Sequence, residues 1–218
     1  NRVNFSLMLF RGYTDQPVFP LAKSYATIAY QNFEKVNHVQ NKSWDVISGD
    51  WTFYPDWGTS GLGVLRPLLM AGILSEGSFH DYIPEAWRLK NREYLRHEAW
   101  AITRSMLEYF SAGTLPNGNV AGILRDSNEN VPSTYLPISE LGDAKKPINF
   151  VKATLQPGNH IYHGDDQNNG YYMFEDIAPG QYKLYLEPEY YEHDTVDITV
   201  TANKSLFVHR NLAPEPNY

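Results

Sequence analysis

An α/β part followed by an all-β part is the fold class that this chain of 218 residues predicts. Three observations predict it. The hydrophobic pattern runs at helical spacing and in continuous apolar stretches up to about residue 112, and at period two beyond it. All five tryptophans (Trp44, Trp51, Trp57, Trp87 and Trp100) fall before that point. Charge changes at the same place: residues 1–112 balance 11 basic against 11 acidic residues, whereas residues 113–218 hold 7 and 14 and carry the whole net charge of -7. A Gly/Pro/Asn-rich link, Ser111–Asn119, marks the join. Two domains are therefore expected, 1–112 and 113–218.

Composition narrows the function. Hydrophobic residues make up 42% and charged residues 20%, a composition that folds. No apolar run approaches the roughly 18 residues of a membrane span. The negative charge and the lack of a basic stripe argue against a nucleic-acid partner. Cysteine is absent, which excludes disulfide staples and cysteine zinc sites and leaves the compartment open. The opening Asn1-Arg2-Val3-Asn4-Phe5 carries neither an initiator Met nor a signal pattern, and reads as the middle of something processed or cut.

Taken in order, Val3–Gly12 is a short apolar run closed by glycine, a buried strand. Pro20 opens a helix whose apolar face is Leu21, Tyr25, Ile28, Ala29, Phe33 and Val36, with Asn37 as its stop. Lys42–Gly63 shows no period and is expected to be a long, functional loop. Pro67–Glu76 is apolar without alternation, the pattern of a central strand covered on both faces. A helix follows over roughly Pro84–Phe110, with Leu95, Ala99, Ile102, Met106 and Tyr109 as its stripe. Strand, helix, strand, helix is the rhythm of a sheet with crossover helices, in which ligands bind beyond the carboxyl ends of the strands.

Glu76 stands at such an end, followed at once by Gly77. Two readings are open: a solvated end-marker, or a carboxylate facing a reaction, which would require neighbours that tune it.

The run GVLRPLLMAGILSEGSFHDYIPEAWRLKNREYLRHEAWAITRSMLEYF resembles the C-terminal part of the zinc-dependent N-acetylmuramoyl-L-alanine amidases, in particular the amidase-like "xanthan lyase" proteins of Bacteroidetes-type bacteria. NFSLMLFRGYTDQP, LAKSYATIAYQNF and GDWTFYPDWGTSGLGVL are similar to the family's preceding strand, helix and loop, so the resemblance covers about Val3–Phe110. It implies an incomplete amidase-like α/β domain and a general acid/base role for Glu76 beside a zinc-bound water, cutting the amide between the muramic acid lactyl group and L-Ala in peptidoglycan. The Zn2+ ligands, two His and one Glu, are implied to precede Asn1, supplied by an earlier segment or a separate chain; no metal ligand is expected within this one. His80, Tyr82 and Arg88 are the candidates for touching substrate, while His97, four residues after Glu93, reads as a surface pair. The substrate implies a periplasmic, cell-surface or secreted protein. The competing class is a non-catalytic envelope binding or structural protein, or an enzyme acting on a polysaccharide.

Beyond residue 112, six runs at period two read as strands: 119–126, 148–158, 170–177, 180–188, 193–202 and 204–213. They make a β-sandwich. Asp166, Asn169, Gly170, Tyr172, Phe174, Pro179, Gly180 and Tyr182 resemble the signature of the carboxypeptidase-regulatory-like, or CNA-B-like, domain, an immunoglobulin- or prealbumin-like sandwich that implies an accessory module. Tyr172, Phe174, Tyr182 and Leu184 are expected on one core face. His160-x-x-His163 with Asp165 and Asp166 is either a metal site or a solvated hairpin tip, and Tyr185, Tyr190 and Tyr191 either stack on sugar rings or pack across strands.

Overall fold

A computed structural model describes residues 3–42 and 45–216; Ser43 and Trp44, within the expected long loop, lie outside the described residues. It is a mixed α and β structure with several sheets, richer in strands than in helices. The chain divides into two compact units. Of the described residues, one comprises those of 4–79 and 98–114, the other Val3, 80–97 and 115–216. The border thus differs from a single cut at residue 112, because residues 80–97 group with the β-rich part.

In the first unit, β1 (Leu7–Phe10) is buried at every residue and lies at the centre of the sheet. Helix α1 (Pro20–Phe33) starts on a proline in its first turn and leads to β2 (Ile47–Gly49), which pairs in parallel with β1. The unpatterned segment 42–63 therefore contains a strand. It also contains the short helix α2 (Asp50–Phe53) and a 3-10 stretch over Pro55–Ser60. Of the expected face of α1, Ala29 and Phe33 are buried, as is Val36 just beyond the helix, while Leu21 is exposed; Ala22, Ala26 and Tyr30, each one or two positions on from an expected residue, complete the buried face.

The expectation of a central strand over Pro67–Glu76 is corrected. Only β3 (Ile73–Glu76) is a strand, and it lies at the sheet edge, antiparallel to β1, with Glu76 opposite Leu7. Leu69 is 94% exposed and Met70 71%. The fully covered strand is β1; a continuous apolar run reports burial only when neighbours cover both faces.

The expected single helix over 84–110 is two, α3 (Ile83–Arg88) and α4 (Arg92–Tyr109). Asn91 divides them, its Oδ1 accepting the N–H groups of Glu93 and Tyr94 as an N-cap. The inward positions of α4 are Tyr94, His97, Ala101 and Ser105, at helical spacing, while Leu95 and Met106 are exposed. His97 is therefore buried, not part of a surface pair.

The β-rich unit sets two sheets over one core. One sheet runs β10 (Asp194–Val200), β9 (Gly180–Leu186), β6 (Lys152–Gln156), β7 (His160–His163). The other is organised by the 13-residue strand β4 (Gly118–Asn130), which pairs with β5 (Lys145–Pro147), β8 (Tyr171–Ile177), β11 (Ser205–Phe207) and β12 (Arg210–Leu212). Val120, Leu124, Tyr172 and Phe174 from the second sheet meet Ala153, Leu155, Leu184, Leu186 and Ile198 from the first. Period-two alternation puts Ala121, Ile123, Tyr171 and Met173 on the opposite face, where Tyr94 covers them. Strand β8 is thus buried on both sides.

Gly122 shows how tight this packing is. The Tyr172 hydroxyl donates to the Val208 carbonyl at 2.7 Å, and a Cβ at position 122 would sit 2.6 Å from that hydroxyl oxygen. Gly122→Ala is expected to lower stability by roughly 1–3 kcal/mol, the scale of core overpacking. The Val208 carbonyl oxygen would lie closer still, so backbone as well as ring must move. Urea unfolding checks the loss, and an unchanged midpoint would show that both yield.

Candidate functional site

Glu76 sits on a mount built by its own unit. The turn that follows it is fixed through the Gly77 carbonyl, which accepts from Ser6 Oγ at 2.7 Å and from Asn37 Nδ2 at 3.0 Å. Two residues on, the Phe79 N–H donates to Asn4 Oδ1 at 3.0 Å and its ring lies 4.8 Å from that of Phe5. The Glu98 carboxylate approaches Gly77 closely, and a Cβ there would have to displace it. Glu76 itself is half-buried and, among the described residues, has no hydrogen-bond or ion-pair partner. Three other carboxylates of the unit are engaged: Asp50 accepts the N–H groups of Gly12 and Leu62, Glu98 accepts from Asn37, and Glu108 from Asn32.

The segment after β2 brings one aromatic residue, Tyr54, toward this carboxylate. Tyr54 lies within electrostatic reach of Glu76; burial first, then that negative charge, pushes its phenol above the ordinary range. Tyr54 stacks on Trp57 at 4.4 Å and 14°, and Trp57 is exposed. The Trp51 indole N–H is buried and finds no acceptor among the described residues. A buried donor of this kind calls for an explanation in a folded protein, and a bound group is one.

The other three candidates belong to the β-rich unit. His80 is exposed and uncommitted among the described residues. Tyr82 and Arg88 are brought together, but in the interior. The Tyr82 hydroxyl donates to Asp143 Oδ2 at 3.0 Å and accepts the Ile138 N–H at 2.8 Å. The guanidinium of Arg88, 2% exposed, donates to Glu85 Oε2 through Nε at 2.8 Å. It also forks onto Asp143 Oδ1 and Oδ2 at 2.8 and 3.1 Å. Tyr94 donates to the remaining oxygen of Glu85, and Arg125 bonds the Leu141 carbonyl 3.5 Å from Asp143. Burial works against the Arg88 cation, yet Asp143 and Glu85 hold its pKa well above the ordinary value. In this position Tyr82 and Arg88 fasten α3 to the β4–β5 connection instead of presenting a surface to substrate. The sequence hides the partnership, because Asp143 lies 55 residues from Arg88 in a segment without pattern.

The histidine pair of the β-rich unit does not converge. His160 and His163 occupy β7, and positions three apart on a strand face opposite sides. Among the described residues no three His, Cys, Asp or Glu side chains group to hold a metal. The tyrosine cluster also separates: Tyr191 donates to Asp126, Tyr185 lies across from Thr154 and Thr195, and Tyr190 is exposed.

No family model matches the chain, and no curated protein matches it. Among solved structures it is similar to a chain of a type II cohesin–X-dockerin complex from Acetivibrio cellulolyticus, at 23% identity and a TM-score of 0.30. That match takes in 41% of this chain and about half, 51%, of the other, and a likeness this low carries no argument. No helix among the described residues is long and apolar enough to cross a membrane.

Proposed function

We propose that the chain is part of a cell-envelope hydrolase of the N-acetylmuramoyl-L-alanine amidase type, with Glu76 as general acid/base and the β-rich unit as a carboxypeptidase-regulatory-like accessory module. The observation that carries the proposal is a half-buried, uncommitted carboxylate on a rigid turn beside a stacked Tyr54–Trp57 pair. In that role Glu76 takes the proton of the attacking water and passes it to the leaving amine. The aromatic pair offers an apolar face to the sugar end of the substrate.

The resemblance implies Zn2+, which would polarise the carbonyl and acidify the water. The described residues do not form its ligand set. The resemblance assigns the ligands to residues before Asn1, and the part of Glu76 is derived without them. Peptidoglycan as substrate implies a periplasmic, surface or secreted location.

A non-catalytic, glycan-binding envelope protein is the second reading, favoured by the exposure of the stacked Trp57. Digestion of muropeptides by the full-length protein separates the two. Glu76→Gln is expected to lower kcat about 100-fold or more while substrate binding persists; Trp57→Ala is expected to raise KM with kcat kept. Equal rates for wild type and Glu76→Gln would remove Glu76 from the chemistry. Binding without any digestion by the wild type would favour the second reading.

A further inference from the structure

The β-rich unit carries a groove of about 700 Å³, where β6 begins and β7 and β9 end. Its size falls within the range of small-ligand sites. Two aromatic residues line it from outside the core: Phe150, 58% exposed, and Tyr190, 49% exposed. Both adopt left-handed backbone conformations, φ 52° and 70°, which side chains of their size rarely take. Backbone hydrogen bonds hold these bends, from the Phe150 N–H to the Asp165 carbonyl at 2.8 Å and from the Glu215 N–H to the Tyr190 carbonyl at 3.0 Å.

The polar lining is chemically mixed. Glu189, Glu215, His163 and His193 face the same groove, and among the described residues none has a side-chain hydrogen bond or ion pair. The groove's cation, Lys152, is already 3.3 Å from Glu187, so the lining stays negative. Exposed rings provide faces for the C–H side of a pyranose. Carboxylates accept hydroxyl protons, and neutral imidazoles both donate and accept. The negative lining repels acidic polymers, and free carboxylates make a purely apolar ligand costly to seat.

We propose that this groove binds a neutral oligosaccharide, with Phe150 and Tyr190 as the stacking residues and Glu189, Glu215, His163 and His193 as the hydroxyl-binding ones. The proposal stands on the β-rich unit and is independent of the hydrolase reading.

Calorimetric titration of the full chain with cellotetraose and with chitotetraose tests it, using Trp57→Ala protein so that the other exposed stack is silent. At least one of these probes is expected to bind, and polygalacturonate is not. Phe150→Asn and Tyr190→Asn remove the rings while keeping a residue that tolerates the left-handed backbone. Each is expected to weaken binding about tenfold, the scale of one ring stack. Amide NMR shifts on wild-type protein provide a readout that needs no variant, and Lys152, His193 and Glu215 are expected to move. The proposal fails if neither neutral probe binds the Trp57→Ala protein, if polygalacturonate binds as well as they do, if both Asn variants fold and bind unchanged, or if Lys152, His193 and Glu215 do not shift.

Discussion

Arg88→Met is expected to lower the unfolding free energy by about 3–5 kcal/mol, a large share of what a domain of this size possesses. The buried cluster pairs two guanidinium groups, Arg88 and Arg125, with two carboxylates, Glu85 and Asp143. Removing Arg88 strips both its salt bridges, the one to Glu85 and the fork onto Asp143, at carboxylates that are buried. Arg125 stays 3.5 Å from Asp143, and the Tyr82 and Tyr94 hydroxyls still donate, one to each carboxylate, but Glu85 loses the Arg88 charge and a hydroxyl does not replace it. The penalty comes from the stranded partners more than from the lost attraction. A double variant, Arg88→Met with Glu85→Gln, is therefore expected to recover part of the loss, because Glu85 is the carboxylate whose charge Arg88 balances while Asp143 keeps Arg125. Urea unfolding of the two variants beside wild type measures both effects. A loss under about 1 kcal/mol for the single variant would show that water enters the cluster.

Acid is expected to unfold the β-rich unit's packing earlier than its carboxylates alone would require. His97 is 0% exposed, and burial lowers its pKa to about 3 from the usual 6.5. Its ring nitrogens lie 2.9 Å from the Tyr171 hydroxyl and 2.6 Å from that of Ser205. Hydroxyls serve as donor or acceptor, so these bonds tolerate either protonation state, and desolvation decides. The His209 pKa is lowered to about 4, by burial first and then by Arg125 and Arg88. Its Nδ1 accepts the Ile123 N–H.

The sign follows from which state binds protons. Below pH 6.5 the unfolded chain protonates both imidazoles, while the folded chain keeps them neutral until about pH 4 and 3. Stability is thus full above pH 6.5 and falls as pH drops toward the folded values, by about 1.4 kcal/mol per pH unit for each ring. Between pH 6 and 5, where most carboxylates remain ionised, unfolding is expected to take up close to two protons. His97→Gln is expected to take up one fewer in the same window. Urea midpoints collected across that range supply the slope, and equal slopes for the two proteins would place the His97 ring in contact with water.

Local patterns were readable to different depths. Period-two alternation marks β9 and β10, because a strand facing one core repeats every second residue whatever its partners, whereas β4 and β8, also expected as strands, are packed on both faces. Continuous apolar runs were less informative. The sequence cannot distinguish Leu7–Phe10, which is covered, from Leu68–Leu74, which is largely open, since both are simply apolar. The turn of α4 about its axis was misread by one position. Its inward residues include His97 and Ser105, polar groups that become buriable only when a distant hydroxyl or a carbonyl one turn away takes the hydrogen bond.

The same division holds for the sites. Chemistry and order along the chain brought out Glu76, because a carboxylate between an apolar strand and a glycine is a local feature. That the Glu76 side chain has no partner among the described residues, that Arg88 and Tyr82 are committed to Asp143 more than 50 positions away, and that Phe150 and Tyr190, 40 positions apart, line one groove with glutamates and histidines are facts about distant residues or about contacts that do not form. Residue type and spacing alone determined which segments extend or coil and where a reactive group stands in the chain. Only the tertiary structure decided which charges are neutralised and which are left for a ligand, since burial and pairing are properties of what the rest of the chain brings alongside.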